Sequence, residues 1–263
     1  MSDWAIFGAS IAFLVASVAA FRRFRRRRVH KTVEFALKFA VTDAVRRGHA
    51  STTIDHLVFT LSFDPEVAAR LRAAGVTPAS IRRQIDEHLG PLEEPGKHVP
   101  VPHIDDDVTV VIRSAITRKL LVRPSDLLRE IAHGPACFSK SLLPPPERLD
   151  LSETPRRTLV DCDAEPTSAY RAADGNLAGD TQVRLFNDNE TKTTHVEETL
   201  TKTFGLTGPC ARYVVARVHD QGSAAIGPWP REDAAKLVTK ATEAARAAGF
   251  PLRLALERST LDA

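Results

Sequence analysis

The side chains best suited to chemistry lie between residues 183 and 222. The Val-Arg-Leu-Phe run at 183–186 predicts a short strand, and the Asn-Asp-Asn triplet at 187–189 predicts the turn that ends it. Two helical patterns follow, and the second carries His219 in its last turn before Gly222, a typical helix stop. Amide and imidazole groups from a strand end and a helix end can together accept hydrogen bonds beside apolar side chains. The stretch therefore predicts a small polar binding site.

This stretch resembles the ClpS adaptor, which hands N-degron substrates to the Clp unfoldase. The resemblance covers roughly residues 181–258 without a gap, and its matching residues are the triplet at 187–189, Thr191, Val196, Leu200, Phe204, the Val-His-Asp-Gln-Gly run at 218–222 and Ile226-Gly227. In that family an asparagine, an aspartate two residues on and a helix histidine accept hydrogen bonds from the α-ammonium of the substrate. By resemblance these acceptors are Asn187, Asn189 and His219. The peptide pocket is assigned in the same way to Leu185, Asp188, Thr191, Thr193, Val215 and Val218.

The site departs from the family pattern in charge and in shape. Asn189 replaces an aspartate, so one formal negative charge facing a cation is lost, although Asp188 could supply part of the missing field. Thr193 and Val215 stand where the family often has methionine, which makes one wall more polar. We therefore expect weaker binding or an altered preference for the first residue. Because His219 must be neutral to accept a hydrogen bond, binding should weaken as the pH falls through about 6.5.

The strands and helices that must position this site are predicted from residues 181–263, and together they indicate a compact α+β domain. Its pattern is strand, helix, helix, strand, helix, strand, and Thr193 or Thr194 is expected to cap the first helix. Pro230 starts the long third helix and Gly249 stops it. The expected fold is a three-stranded antiparallel sheet with helices on one face.

Residues 32–142 predict an all-helical domain with an internal repeat. A shift of 71 residues carries Asp55 onto Asp126 and Leu57 onto Leu128, and each copy predicts a long, a capped and a short helix. The runs at 36–61 and 115–131 resemble the double-repeat N-terminal domain of the ClpA and ClpC unfoldases. A generic bundle of stacked helices is the alternative.

An uncharged apolar segment at 4–21 precedes an arginine-rich run at 22–28. Its 18 residues suffice to span about 27 Å as a helix. A secretory signal would carry its basic residues before the apolar run. Residues 1–31 therefore predict a single-pass anchor in the cell inner membrane, with the bulk of the chain in the cytoplasm. An interfacial or cleaved segment is the alternative.

Residues 143–180 predict a flexible linker, because three prolines at 144–146 precede a stretch with little apolar periodicity. The two domains then need not touch, although an intramolecular contact between them is possible.

Composition and motifs exclude several functional classes. The net charge of +3 is local, since residues 1–31 carry +6 and the remainder −3, so no nucleic-acid surface is expected. Cys137, Cys162 and Cys210 are scattered and odd in number, which argues against a disulfide framework or a zinc site. The acidic run at 105–107 is expected to cap a helix and not to bind metal. No phosphate loop, G-x-S-x-G elbow or H-E-x-x-H motif occurs, so we expect no enzyme, cofactor or metal.

These patterns and resemblances together predict a membrane-anchored adaptor for ATP-dependent Clp proteolysis. Its expected partners are a ClpA- or ClpC-like unfoldase and proteins that carry N-degrons. The alternative is a non-catalytic scaffold or decoy of the Clp system that binds no degron.

Overall fold

The computed structural model describes residues 29–92, 102–119, 121–149, 181–188 and 190–258. The chain divides into two compact units, Met1–Thr154 and Pro155–Ala263. The apolar segment at 4–21, the arginine run and most of the proline-rich segment lie outside the described residues. Within the described residues, no helix is both long enough and apolar enough to cross a membrane.

The first unit is helical, as predicted. Its helices are α1 (Lys31–Arg46), α2 (Ile54–Leu61), α3 (Pro65–Ala73), α4 (Pro78–Leu89), α5 (Asp106–Arg118), α6 (Pro124–His133) and α7 (Phe138–Leu142), followed by a 3-10 turn at Pro146–Arg148. Two short strands, β1 (Ser51–Thr52) and β2 (His103–Ile104), pair in parallel. Asp105 caps α5 by accepting the Asp107 N–H at 3.0 Å, which is the role expected for the acidic run.

The two repeats of this unit contact each other through equivalent elements. β1 precedes α2 and pairs with β2, which precedes α5. In the reciprocal place, Val29 before α1 forms a parallel bridge with Val122 before α6. Likewise α2 packs on α7, and α3 packs on α6. Because neither half can bury its apolar helix faces alone, the repeated helices form one interlocked core. The resemblance to a Clp N-terminal domain stays a prediction.

The second unit has the predicted order of elements. These are β3 (Thr181–Phe186), α8 (Thr193–Lys202), α9 (Gly208–Gln221), β4 (Ser223–Trp229), α10 (Arg231–Ala247) and β5 (Arg253–Arg258). The sheet is antiparallel in the order β4-β3-β5. Helix α9 packs against β4, and α10 packs against β3 and β5. The predicted α+β architecture with a three-stranded antiparallel sheet is confirmed.

Side chains of β3 alternate between two environments. Val183 and Leu185 are buried at 0% and 2% exposure, and Val183 pairs with the equally buried Ile226 of β4. Arg184 points the other way, where its Nε donates to Glu257 Oε1 at 2.6 Å. This period of two supplies the apolar face on which the helices pack.

Two local predictions need correction. The N-cap of α8 is Lys192, and Thr193 is already the first helical residue, so neither Thr193 nor Thr194 caps the helix. Cys210 is disulfide-bonded and fully buried, whereas Cys137 is a free thiol whose pKa is raised by burial. Spacing in the sequence gave no sign of the bond, because the fold decides which side chains meet.

Candidate functional site

The predicted site lies where the end of β3 meets the end of α9. Phe186 pairs with Ser223, the first residue of β4. One residue further, the Asn187 N–H donates to the Gly222 carbonyl at 2.9 Å. Gly222 adopts φ +82°, a left-handed conformation that glycine enters without strain, so α9 ends and β4 begins at once. Asn187 and the last helical turn, which carries His219, are therefore held at one end of the unit.

Buried apolar side chains accompany these polar groups. Leu185 precedes Asn187 by two residues on β3 and is 2% exposed. Val215 and Val218 lie on α9 at a spacing of three, so they share one helix face, and they are 9% and 8% exposed. By contrast His219 is exposed to solvent. The arrangement combines an exposed imidazole with apolar side chains below the surface.

The loop between β3 and α8 is shaped by Asp188. Its Oδ1 accepts the N–H groups of Glu190 at 3.0 Å and Thr191 at 2.6 Å. Thr191 is half-buried, and its Oγ1 is buried without a hydrogen-bond partner in the described part of the chain. Thr193 is half-buried in the first turn of α8. Asn189, the predicted second acceptor, lies outside the described residues.

Several carboxylates and the C-terminal end of a helix lie at this end of the unit. His219 lies in the last turn of α9, where the unsatisfied carbonyls carry a partial negative charge worth roughly 0.3–1 kcal/mol to a nearby positive group. The half-buried Asp188 and the exposed Glu190 and Asp220 add carboxylates to the loop and the helix end. Position 189 itself is an uncharged asparagine, and the exposed Lys192 adds a positive charge to the same loop.

Two contacts that shape the site were not among the predictions from the sequence. The Gly222 carbonyl anchors the loop to the helix, and no local pattern identifies that contact. The two bonds of Asp188 were foreseeable, because aspartate side chains commonly accept backbone N–H groups two and three residues on. In the described part of the chain, no group of three or more His, Cys, Asp or Glu side chains could hold a metal ion.

Comparison with known proteins bears on the second unit. Residues 179–255 match the family model of the ATP-dependent Clp protease adaptor protein ClpS. A solved structure of Agrobacterium tumefaciens ClpS2 bound to L-phenylalaninamide is similar at 30% sequence identity; the match covers 30% of this chain and 98% of that chain, with a TM-score of 0.29. All predicted site residues fall inside the matched region.

Proposed function

Because residues 179–255 form a ClpS adaptor domain, we propose that the chain binds proteins through their free N-terminus and delivers them to a ClpA- or ClpC-like unfoldase. The observation that carries this proposal is the bond from the Asn187 N–H to the Gly222 carbonyl at 2.9 Å. It holds the strand end that bears Asn187 against the helix end that bears His219. Two hydrogen-bond acceptors from distant parts of the chain would thereby be offered to one ligand.

The chemistry of the site suits an α-ammonium group. An ammonium has three donors and no acceptor, so it needs several acceptors in a partly dry place. The amide oxygens of Asn187 and Asn189 and the neutral imidazole of His219 would supply them, each charged bond contributing about 1.5–3 kcal/mol. Beside them, the buried side chains of Leu185, Val215 and Val218, together with Thr191 and Thr193, would take an apolar first side chain of the ligand.

The remaining parts of the chain extend the proposal. The helical unit would be a Clp N-terminal-like module that contacts either the adaptor domain of the same chain or a separate unfoldase. The apolar segment at 4–21 would tether the protein to the inner membrane with its domains in the cytoplasm. Cell fractionation tests the tether: the full chain should sediment with membranes, and a variant without residues 1–28 should become extractable. Equal fractionation of the two proteins would refute it.

Peptide binding tests the recognition step. We would titrate the full chain into labelled peptides that begin with Leu, Phe, Tyr or Trp, each paired with an N-acetylated copy, and follow fluorescence anisotropy. Binding of the free amines alone supports an N-degron adaptor and gives its preference. Equal binding of free and acetylated peptides, or no binding at all, refutes degron recognition and leaves the scaffold or decoy as the better interpretation.

A further inference from the structure

Strand β5 is an open edge of the three-stranded sheet. The strand order β4-β3-β5 leaves one side of β5 without a partner strand in the described part of the chain. Its pairing with β3 is regular from Arg253 to Arg258, and its sequence contains neither proline nor glycine. The opposite edge, β4, carries Pro228, which has no N–H to donate to a further strand. Because proteins commonly protect their sheet edges by such interruptions, β5 is the edge that is open to another strand.

The helices do not cover the apolar side chains of β5. Leu256 pairs with Val183, so both side chains lie on the face that carries the helices. Val183 is fully buried there, whereas Leu256 is 40% exposed. Leu254, two residues earlier on the same face, is half-buried. The edge therefore exposes apolar surface that a neighbouring strand would remove from water.

The other face of β5 carries one cation and one anion. Arg253 is exposed near one end of the strand, and Glu257 is half-buried near the other. The Arg184 Nε donates to Glu257 Oε1 at 2.6 Å, and this bond lowers the pKa of the Glu257 carboxyl. Glu257 is therefore ionised at neutral pH, and the two ends of this face have opposite charge.

Two copies of this edge are complementary to each other. In an antiparallel pair of identical strands, opposing residues face the same side of the sheet, so their numbers differ by an even number. When Ala255 lies opposite its own copy, Leu254 lies opposite Leu256 of the second copy. In the same register Arg253 lies opposite Glu257 of the second copy. Apolar and charged side chains thus both find favourable partners, and two-fold symmetry gives each pair twice.

The neighbouring register lacks this match. When Leu256 lies opposite its own copy, Leu254 meets Arg258 of the second copy, and Ala255 meets Glu257. That arrangement places charged groups against apolar ones and forms no ion pair across the edge. Charge complementarity therefore favours the register in which the two-fold axis passes Ala255.

We propose that β5 is a self-association strand, through which two copies of the chain form a symmetric dimer. The edges pair in antiparallel fashion about an axis at Ala255, and the result is a continuous six-stranded sheet with the helices of both copies on one face. Because two short strands bury less surface than a standard interface of about 1,600 Å², the dimer is weak and forms in the micromolar range. It requires no peptide, so it holds whether or not the chain binds degrons.

Exchange of the two charges tests both the surface and the register. Arg253→Glu places two carboxylates opposite each other in both charged pairs of the dimer, and Glu257→Arg places two guanidinium groups there. Each variant alone should therefore dissociate. In an equimolar mixture, the new carboxylate of one variant faces the new guanidinium of the other, and the unchanged Glu257 and Arg253 face each other. The mixture should therefore dimerise.

Sedimentation equilibrium of the full chain in a density-matched detergent gives the dissociation constant of the dimer. We expect each single charge variant to raise it at least about tenfold, since two attractive pairs become repulsive. Leu256→Lys should raise it as well, because it sets a charge against Leu254 of the second copy without touching Glu257. Lys202→Glu, on the exposed side of α8, makes the same charge change as Arg253→Glu and should leave the parent value unchanged.

The possible outcomes decide the proposal. A parent chain that stays monomeric throughout the micromolar range would overturn it and leave the edge to a strand of another protein. Dimers retained by both Arg253→Glu and Leu256→Lys would place self-association on another surface and overturn it as well. Far-UV circular dichroism first establishes that each variant is folded. Recovery of the dimer in the mixture then supports the register at Ala255, and absence of recovery refutes it. Peptide anisotropy on the same samples reports degron binding separately, so failure of one proposal is distinguishable from failure of the other.

Discussion

The buried imidazole of His56 should make the stability of the helical unit depend on pH. His56 is 1% exposed in α2, where its Nδ1 accepts the Thr53 N–H at 3.2 Å. Its Nε2 lies 2.9 Å from Nδ1 of His49. Burial, with the neighbouring His49 and Arg47, lowers the pKa of His56 from 6.5 to about 4, against a smaller opposing effect of Asp55.

The number of protons bound by the folded and the unfolded chain sets the direction in which stability changes with pH. Between pH 6.5 and 4 the unfolded chain binds a proton at position 56 that the folded chain does not, so the free energy of unfolding falls as the pH falls. These two pKa values predict a loss of about 2 kcal/mol by pH 5 and about 3 kcal/mol by pH 4, relative to pH 7. Above pH 6.5 this contribution is constant.

Urea denaturation followed by far-UV circular dichroism at several pH values measures this loss. His56→Gln is the informative variant, because glutamine does not titrate and is itself favoured at this position of a capping box. Its unfolding free energy should be lower at pH 7 but should fall less steeply with pH than that of the parent. His103→Gln, an exposed histidine of the same unit, should leave the parent slope unchanged. Equal slopes for the parent and His56→Gln would refute the reasoning.

Three further predictions concern the second unit. His219→Ala should weaken binding of a free-amine peptide by about tenfold or more, since one charged hydrogen bond is lost; peptide anisotropy measures it, and parent-like affinity contradicts an acceptor role. Asn189→Asp should strengthen the same binding by several-fold, because it restores a charge-assisted bond, and the gain should shrink at high salt. Gly227→Ala should destabilise the unit by about 1–3 kcal/mol, because an added Cβ would lie 2.7 Å from the Trp229 ring at φ +118°. Gly249→Ala, at φ +78° with nothing within 4 Å, is the matched control and should cost less in urea unfolding followed by tryptophan fluorescence.

The elements that the sequence predicts correctly are those whose governing interactions are local. The alternation of Val183, Arg184 and Leu185 predicts β3, because successive side chains of a strand face opposite sides. Gly222 predicts the end of α9 through its left-handed backbone. The order of strands and helices in the second unit follows from such signals taken in turn.

Two predictions were wrong. One concerned a helix start with several possible N-cap residues in a row, and the other concerned a bond between cysteines that are distant in the sequence. Three consecutive residues, Lys192, Thr193 and Thr194, could each have preceded the helix, and the threonines are the better caps by residue type. The turn held by Asp188 brings the chain into the helix at Lys192, ahead of both. The disulfide of Cys210 has no signal in the spacing of the cysteines, because folding and not separation along the chain decides which thiols meet.

The sequence alone determined the elements of each unit and the kinds of group available for binding, because helix, strand and turn signals act within a few residues. Tertiary structure decided which of those groups stand together. Pairing of Phe186 with Ser223, and of the Asn187 N–H with the Gly222 carbonyl, joins parts of the chain that no local pattern relates. The reciprocal strand contacts of the helical repeats are of the same kind. Each such contact depends on burying apolar faces that are formed by distant residues, so it exists only once the chain has folded.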